Sequence, residues 1–197
     1  MAESTSSAAS PSPKRDGLEF TFHALSAVED MPDAVEHLVR LHGARSTLED
    51  TVKHPNVFRT ETARRFFHDV VRRMAAKGQV RAFQLKLGER VIATRFGFVF
   101  GDVMYLYYSG YEPDLGKYSV MTTAVAEALK WAMANGVTSV NLSIGNDVSK
   151  TRWGPQEFLY RTGLVISPSL RSRAALALFD KANELAQHPT LRRHLKR

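Results

Sequence analysis

The sequence predicts an α+β fold, in which an antiparallel meander is followed by a helix and a further strand. Three runs of strand character lie in quick succession, at residues 80–87, 91–100 and 103–109. Two glycine-containing pairs, Gly88-Glu89 and Gly101-Asp102, separate these runs and are typical of two-residue hairpin turns. A helix pattern and a short strand come next, and such a crossover creates parallel neighbours, which makes the sheet mixed.

Two amphipathic helices are predicted ahead of the meander. The first, at residues 32–43, ends near a glycine and places on one face Val35, Leu38, Val39 and His42. The second, at residues 60–77, begins with Thr60 as N-cap and places on its buried face Ala63, Phe66, Phe67, Val70, Val71 and Met74. Several arginines lie on the opposite face of the second helix, where they are interpreted as a solvated surface.

The remaining elements lie at the two ends of the chain and after the meander. A helix is predicted at residues 117–135, with Met121, Val125, Ala128, Leu129, Ala132 and Met133 turned inward. Short strands are predicted at residues 18–25, 139–142 and 158–166, and a final helix at residues 170–186.

Composition excludes several classes of protein. The chain has 197 residues, of which 44% are hydrophobic, enough for one globular domain with a core. It contains no cysteine, which excludes disulfides, thiol nucleophiles and cysteine-ligated metal sites and fits a reducing compartment. No apolar run is long enough for a membrane helix, and no secretory leader pattern opens the chain. We therefore expect a soluble, unprocessed cytoplasmic protein.

The formal charge of +7 is concentrated at one end of the chain. Residues 171–197 hold seven Lys and Arg against two acids, which is +5 and leaves +2 for residues 1–170. The globular part is nearly balanced, so no specific nucleic-acid partner is expected. We expect a disordered tail at 1–17, the main domain at 18–168, and a basic helix and tail at 169–197. That basic end either makes a peripheral contact, with anionic lipid or with a partner protein, or is only a solvated tail.

The connection between the meander and the third helix is the first candidate site. A strand-to-helix turn presents unpaired backbone N–H groups and the positive end of a helix dipole, which together suit a phosphate. The candidate residues are Ser109, Gly110, Gly116, Lys117, Tyr118 and Ser119. A nucleotide-triphosphate loop is excluded because five residues separate the two glycines and Tyr118 follows the lysine. The pyrophosphate of coenzyme A would fit the turn, and an ordinary glycine-containing loop is the alternative.

A family resemblance extends over about residues 42–157. It is carried by Leu41-His42 and Arg45, Phe66-Phe67, Gly88 with Val91-Ile92-Ala93, residues 107–111, Tyr118-Ser119, Asn141-Leu142-Ser143 and residues 145–154. With these motifs the stretch resembles the CelD-type acetyltransferase domain, named for cellulose biosynthesis, within the GNAT N-acetyltransferase superfamily. Two departures are Val120-Met121, where the family usually has a small residue, and the presence of one half where members often carry two.

The resemblance implies a GNAT-like sheet with a central cofactor helix and splayed parallel strands. Acetyl-CoA would act as co-substrate, with its pantetheine arm against the strand at 103–109 and its pyrophosphate at the 116–119 turn. A neutral amine would attack the thioester directly, with a backbone N–H stabilising the oxyanion and an acid protonating the thiolate. The absence of cysteine is compatible with this chemistry.

Side chains near the acceptor end are the candidate catalytic and substrate-binding residues. Asp147 is a candidate general base or amine ligand, and a turn cap is the alternative. Lys150 and Arg152 suit an anionic acceptor or the cofactor phosphates, and Trp153 suits a sugar or buried packing. Candidates for the acid include Tyr107, Tyr108, Tyr111 and Tyr118, of which Tyr108 is preferred. Since strand residues alternate, we expect Tyr107 and Tyr108 to point to opposite faces, so that only one of them can face the cofactor.

Metal and hydrolase sites are not expected. The seven histidines form no pair at metal-ligand spacing, and no Gly-x-Ser-x-Gly elbow is present. The leading hypothesis is an acyl-CoA-dependent N-acyltransferase acting on a small-molecule amine, an amino sugar in particular, in envelope or exopolysaccharide metabolism. Two alternatives are a catalytically silent GNAT-like module that binds a partner protein, and a Fem-type aminoacyl-tRNA-dependent transferase. Oligomeric state and acyl length stay open.

Overall fold

The computed structural model describes residue 13 and residues 16–48, 54–160 and 163–187. The chain divides into two compact units, Met1–Gly154 and Pro155–Arg197. Most of the tail expected at residues 1–17, and the basic residues after 187, lie outside the described residues. Within the described ranges, no helix is long and apolar enough to cross a membrane.

A five-stranded sheet organises the first unit, with its strands in chain order. The strands are β1 (Phe20–Leu25), β2 (Val80–Leu87), β3 (Arg90–Phe100), β4 (Val103–Tyr111) and β5 (Ser139–Asn141). The first four are antiparallel neighbours, and β5 pairs parallel to β4. Gly88 and Gly101 adopt φ of 57° and 61°, as the hairpin turns require. The predicted meander and the parallel crossover are confirmed.

Helices cover both faces of this sheet. They are α1 (Met31–Ser46), α2 (Glu61–Ala75), α3 (Val120–Ala134) and the short α4 (Val148–Thr151), with 3-10 turns at Val28–Asp30 and Pro113–Tyr118. The second unit contains α5 (Leu170–Gln187), in agreement with the predicted final helix. The Thr60 hydroxyl accepts a hydrogen bond from the Ala63 amide, which confirms the predicted N-cap of α2.

Two apolar layers hold the sheet between the helices. The layer under α1 and α2 includes Val35, Leu38, Phe67, Val71 and Phe96. The layer under α3 includes Phe83, Met104, Leu106, Val125 and Ala128. Complete burial of such side chains contributes about 1.5–3 kcal/mol each, so these two layers are the main source of the fold's stability.

Two predicted helix boundaries are wrong, each for a local reason. The first helix does not end near Gly43 and runs on to Ser46, because a helix interior tolerates a glycine at modest cost. The third helix begins at Val120 and not at residue 117. A 3-10 turn precedes it, and Ser119 adopts a left-handed conformation with φ of 55°.

Two side chains and one strand also differ from the prediction. Phe66 and Met133 are 70% and 79% exposed, because the buried stripe of each helix is narrower than the apolar pattern. Residues 158–160 and 163–166 form no strand, although 158–166 was predicted as one. A strand needs a neighbour for its backbone hydrogen bonds, and none of the described residues pairs with this run.

The tightest contact between layers lies at Gly110 in β4, directly beneath α1. A Cβ atom built at this position would lie 2.3 Å from the backbone nitrogen of His42 and 2.4 Å from the carbonyl carbon of Leu41. No side chain other than hydrogen fits there. The glycine therefore lets the backbone of α1 rest on β4.

The start of the turn after β4 is held by a charged cluster. Glu112 is buried and pairs with Arg40 of α1 and with Arg90 of β3, the latter at 3.0 Å. Arg40 also donates to the Val91 carbonyl at 2.8 Å. Burial acts to raise the pKa of Glu112, but the hydrogen bonds from the two arginines outweigh it and hold that pKa below its ordinary value.

Gly110→Ala is expected to lower the free energy of unfolding by about 3 kcal/mol, because the new methyl group must displace the α1 backbone. Urea denaturation measures the change. Gly43→Ala is the matched control, since its Cβ would meet only the Asn56 side chain at an ordinary 3.5 Å. That control should gain roughly 0.5–1 kcal/mol of stability from lower unfolded-chain entropy. Equal effects of the two substitutions would contradict the close packing at Gly110.

Glu112→Gln is expected to destabilise the fold by about 1–2 kcal/mol at neutral pH, allowing for the solvent exposure of the two arginines. The folded-state pKa of Glu112 is depressed, so its contribution is present above the ordinary value of 4.5 and is lost as the pH falls below it. Denaturation curves at a series of pH values should therefore converge for wild type and variant in acid. Glu127→Gln, which breaks a surface pair with Lys130, should change stability by less than about 0.5 kcal/mol.

Candidate functional site

The two parallel strands are joined at one end only. Three residue pairs connect them, Val103 with Ser139, Met104 with Val140 and Tyr105 with Asn141. Beyond Tyr105, β4 continues to Tyr111 without a β5 partner among the described residues. The predicted splay of the parallel strands is confirmed, and it leaves a stretch of β4 edge open to another hydrogen-bonding chain.

A bulge interrupts β4 where the two strands diverge. Arg95 pairs with Ser109 and Gly97 pairs with Leu106, so Phe96 alone faces the two residues Tyr107 and Tyr108. One extra residue in a strand breaks the alternation of side chains and leaves part of the ladder unpaired. The expectation that the two tyrosines point to opposite faces is wrong: their ring centroids lie 4.4 Å apart.

Tyr108 is the better enclosed of the two rings. It makes edge contacts with Phe58 at 5.0 Å, with Phe67 at 5.3 Å and with His42 at 6.2 Å. Burial, followed by the neighbouring Tyr107, raises the pKa of the Tyr108 phenol. The phenol therefore keeps its proton at neutral pH and is able to donate it.

His42 connects this aromatic group to the backbone of β4. Its Nδ1 donates to the Ser109 carbonyl at 2.8 Å, and its Nε2 lies 3.3 Å from the Pro55 carbonyl. Its ring also packs edge-on against Phe58 at 5.2 Å. The end of α1 and the strand beyond the bulge are held together by this residue, which the sequence prediction did not include in the site.

The predicted phosphate-binding residues occupy two different elements. Ser109 and Gly110 lie in β4, whereas Gly116, Lys117 and Tyr118 lie in the 3-10 turn that follows. A Cβ at Gly116 would lie 3.2 Å from the Tyr111 ring, so this glycine makes room for that ring.

Side chains in the 3-10 turn point in different directions. Tyr118 is buried in an apolar cluster with Leu85 and Ile92, and its hydroxyl donates to Asp16 at 2.6 Å. Lys117 is exposed, with its ammonium 4.9 Å from the Tyr118 ring centroid. Ser119 is exposed and makes no side-chain cap at the start of α3. Lys117 is thus the exposed cation of the turn, and Tyr118 contributes only backbone groups to its surface.

Asp147 and Lys150 come together in the loop after β5. Asp147 is the N-cap of α4: its carboxylate accepts from the Ser149 amide at 3.1 Å, and from the Ser149 hydroxyl and the Lys150 ammonium. Lys150, followed by Ser149, holds the pKa of Asp147 well below its usual range. The carboxylate is therefore ionised and occupied throughout the neutral range.

Arg152 and Trp153 attach α4 to the body of the unit. Arg152 donates to the Val148 carbonyl at 3.0 Å and to the Thr122 hydroxyl of α3 at 2.9 Å. The indole N–H of Trp153 donates to the Ser149 carbonyl at 3.0 Å, and its ring packs against the apolar layer under α3. Both side chains are engaged in packing and hydrogen bonding with the protein itself.

A charged residue in the middle of β3 completes the site. Arg95 is opposite Ser109 in the ladder and half-buried, and its Nε has no hydrogen-bond partner among the described residues. Burial, with a further contribution from Arg45, lowers the pKa of Arg95 to about 10, while Asp147 acts in the opposite direction. Sequence reasoning overlooked this residue, although one arginine within an apolar strand run is itself a signal.

Among the described residues, no three His, Asp or Glu side chains are grouped so as to hold a metal ion.

Comparisons with known proteins identify the family. The sequence model of the acetyltransferase (GNAT) domain matches residues 9–151. No match was found among curated proteins. The fold is similar to an aminoglycoside acetyltransferase from an uncultured soil metagenomic sample, in complex with sisomicin, with a TM-score of 0.51 at 10% identity over 75% of this chain and 97% of the other.

A second similar structure is a predicted acetyltransferase with acetyl-CoA from Clostridium acetobutylicum. Its TM-score is 0.50 at 12% identity, over 75% of this chain and 96% of that one. At such identities these structures show a shared fold, with the open mixed sheet described above. Together with the match over most of the chain, they show that the protein belongs to the GNAT acetyltransferase family.

Proposed function

We propose that the protein is an N-acetyltransferase that binds acetyl-CoA beside β4 and transfers its acetyl group to an amine. The observation that carries the proposal is the open edge of β4 between Leu106 and Tyr111, beyond its three-residue ladder with β5. Amide groups of a pantetheine arm pair with such an edge as an added strand would. An open edge favours a donor-binding enzyme over a catalytically silent module.

The donor phosphates are assigned to the turn between β4 and α3. The first turn of a helix leaves backbone N–H groups without intrahelical partners and carries a partial positive charge. Ser119 and Val120 begin α3, and no side chain caps it there. Lys117 adds an exposed cation next to these groups. Acetyl-CoA supplies the thioester, and the turn would hold its phosphates.

The bulge and Tyr108 are assigned to the transfer itself. The amine nitrogen forms a bond to the acetyl carbon, the carbon–sulfur bond breaks, and the ammonium proton is lost to solvent. A bulge leaves a backbone group of β4 outside the ladder, where an N–H can stabilise the developing oxyanion. Tyr108, which keeps its proton at neutral pH, protonates the departing thiolate.

The loop after β5 is assigned to positioning. Because its pKa is held low, Asp147 is a weak base. We therefore assign to Asp147 the role of orienting the Lys150 ammonium at the acceptor end. Arg152 and Trp153 keep α4 in place against α3. In keeping with the CelD-type resemblance, an amino sugar of envelope or exopolysaccharide metabolism is the proposed acceptor, and the cytoplasm the proposed location.

Calorimetric titration with acetyl-CoA is expected to show binding. Lys117→Gln should weaken it about threefold to tenfold, because one exposed cation near the phosphates is lost. Lys130→Gln, at an exposed position on α3, is the matched control and should leave the affinity unchanged. Absence of heat for wild type up to high micromolar acetyl-CoA would overturn the proposed function.

Asp147→Asn is expected to lower kcat roughly tenfold with little change in acetyl-CoA binding, because Lys150 loses its anchor. The pKa of Asp147 lies below the working range, so the pH–rate profile between about pH 5 and 9 should keep its shape in the variant. Steady-state kinetics at a series of pH values test this. Loss of an acid limb in the variant would show instead that Asp147 titrates as the catalytic base.

A further inference from the structure

We infer that the acceptor carries an anionic oxygen group, a carboxylate or a phosphate, and that Arg95 and Arg45 bind it beside the end of β4. The inference rests on the proposed function and names the substrate class for the same site. It is carried by two partly enclosed guanidinium groups that lack an anion of their own among the described residues.

Arg95 is the first of the two. Its side chain makes no hydrogen bond or ion pair with any residue in the described ranges, and its Nε is wholly shielded from solvent. Shielding a guanidinium N–H donor from water without giving it a hydrogen-bond acceptor is unfavourable. A fold retains such a group at a site where a ligand supplies the missing acceptor.

Arg45 is the second, and two ring side chains contact it. It lies in the last turn of α1, where its Nη2 is 2.7 Å from His54 Nε2 and its guanidinium is 5.3 Å from the Tyr111 ring centroid. Its Nε is also buried and has no acceptor among the described residues. Both arginines therefore keep a buried N–H donor without a described partner.

The local charges do not balance. Arg45 is close enough to act on Arg95, and it disfavours the charged form of that residue beyond the effect of burial. Asp147 acts on Arg95 in the favourable direction, but its carboxylate is already bonded to Lys150 and Ser149. Asp147 is thus the one anion among the described residues that acts on Arg95, and its oxygens are already bonded. An incoming carboxylate or phosphate would relieve the repulsion and accept from both arginines.

The geometry favours the acceptor over the donor as the source of this group. Arg95 lies opposite Ser109 of β4, and the charged groups that act on it are Arg45 at the end of α1 and Asp147 in the loop after β5. The donor phosphates have a separate exposed cation, Lys117, and the helix start at Ser119. A half-buried arginine suits one small anionic group. Assignment of the arginines to a phosphate of the donor is one outcome of the test.

Thermal unfolding provides a test that does not depend on activity. Low millimolar inorganic phosphate should raise the Tm of wild type relative to chloride at equal ionic strength, because an anion that binds the folded state stabilises it. Arg45→Gln and Arg95→Met should lose this rise, and Arg95→Met should have a higher Tm than wild type without phosphate. Arg73→Gln, which removes an exposed arginine of α2, should respond as wild type does. Equal responses in all four proteins would overturn the inference.

Turnover with matched amines tests the substrate class. Each amino acid is compared with its amide, and each aminoalkyl phosphate with its amino alcohol, as acceptors from acetyl-CoA. Wild type should prefer the anionic member at least about tenfold in kcat/KM, and Arg45→Gln should reduce that preference to about twofold. The two amines of a pair differ in basicity, but this difference affects wild type and variant alike. It therefore cancels when the preference of wild type is divided by that of the variant. Arg73→Gln should keep the preference.

The outcomes separate the two proposals. Acetyl-CoA binding and transfer without preference for the anionic amines would overturn the inference and leave the proposed function in place. An Arg45→Gln variant with at least about tenfold weaker acetyl-CoA binding and an unchanged acceptor preference would assign the arginines to the donor, which also overturns it. If acetyl-CoA gives no heat and no amine is acetylated, the proposed function and the acceptor assignment fall together.

Discussion

The contact of α1 with β4 at Gly110 determines the geometry of the whole site. Because no side chain separates the two backbones, the end of α1 lies directly over the strand that diverges from β5. His42 can then reach the Ser109 carbonyl, and Arg45, one turn further on, reaches the Tyr111 ring. A larger residue at Gly110 would move all of these groups at once, since a helix shifts as a rigid body.

The divergence of β4 from β5 is a compromise between stability and access. A longer parallel ladder would satisfy more backbone groups, as sheets ordinarily do. Instead, β5 has only three residues, and the bulge at Tyr107 and Tyr108 lies just beyond the last residue pair of the two strands. The aromatic rings of Phe58 and Phe67 and the ion pairs of Glu112 hold β4 in this position from the other side.

Local patterns in the sequence predict the elements of this fold well and their distortions poorly. The hairpins can be predicted because each turn is a pair of adjacent residues that begins with a glycine, Gly88 or Gly101. Glycine readily adopts the positive φ that these turns need. The bulge at Tyr107 depends on how β4 registers against β3, and no local pattern encodes that register. The sequence does predict a turn cap as one of two roles for Asp147, and the structure has that cap. The role of Arg95 depends on neighbours from α1 and the loop after β5, which are distant in sequence.

The hydrogen bond from Tyr118 to Asp16 has a consequence for cooperativity. It joins a residue near the beginning of the chain to the turn proposed to hold the donor phosphates, and Tyr118 also packs edge-on against Phe20 of β1. Segments joined by contacts of this kind tend to unfold locally together, as one cooperative unit. The turn is therefore held by β1, the strand at the edge of the sheet opposite to β5, and is expected to unfold together with it.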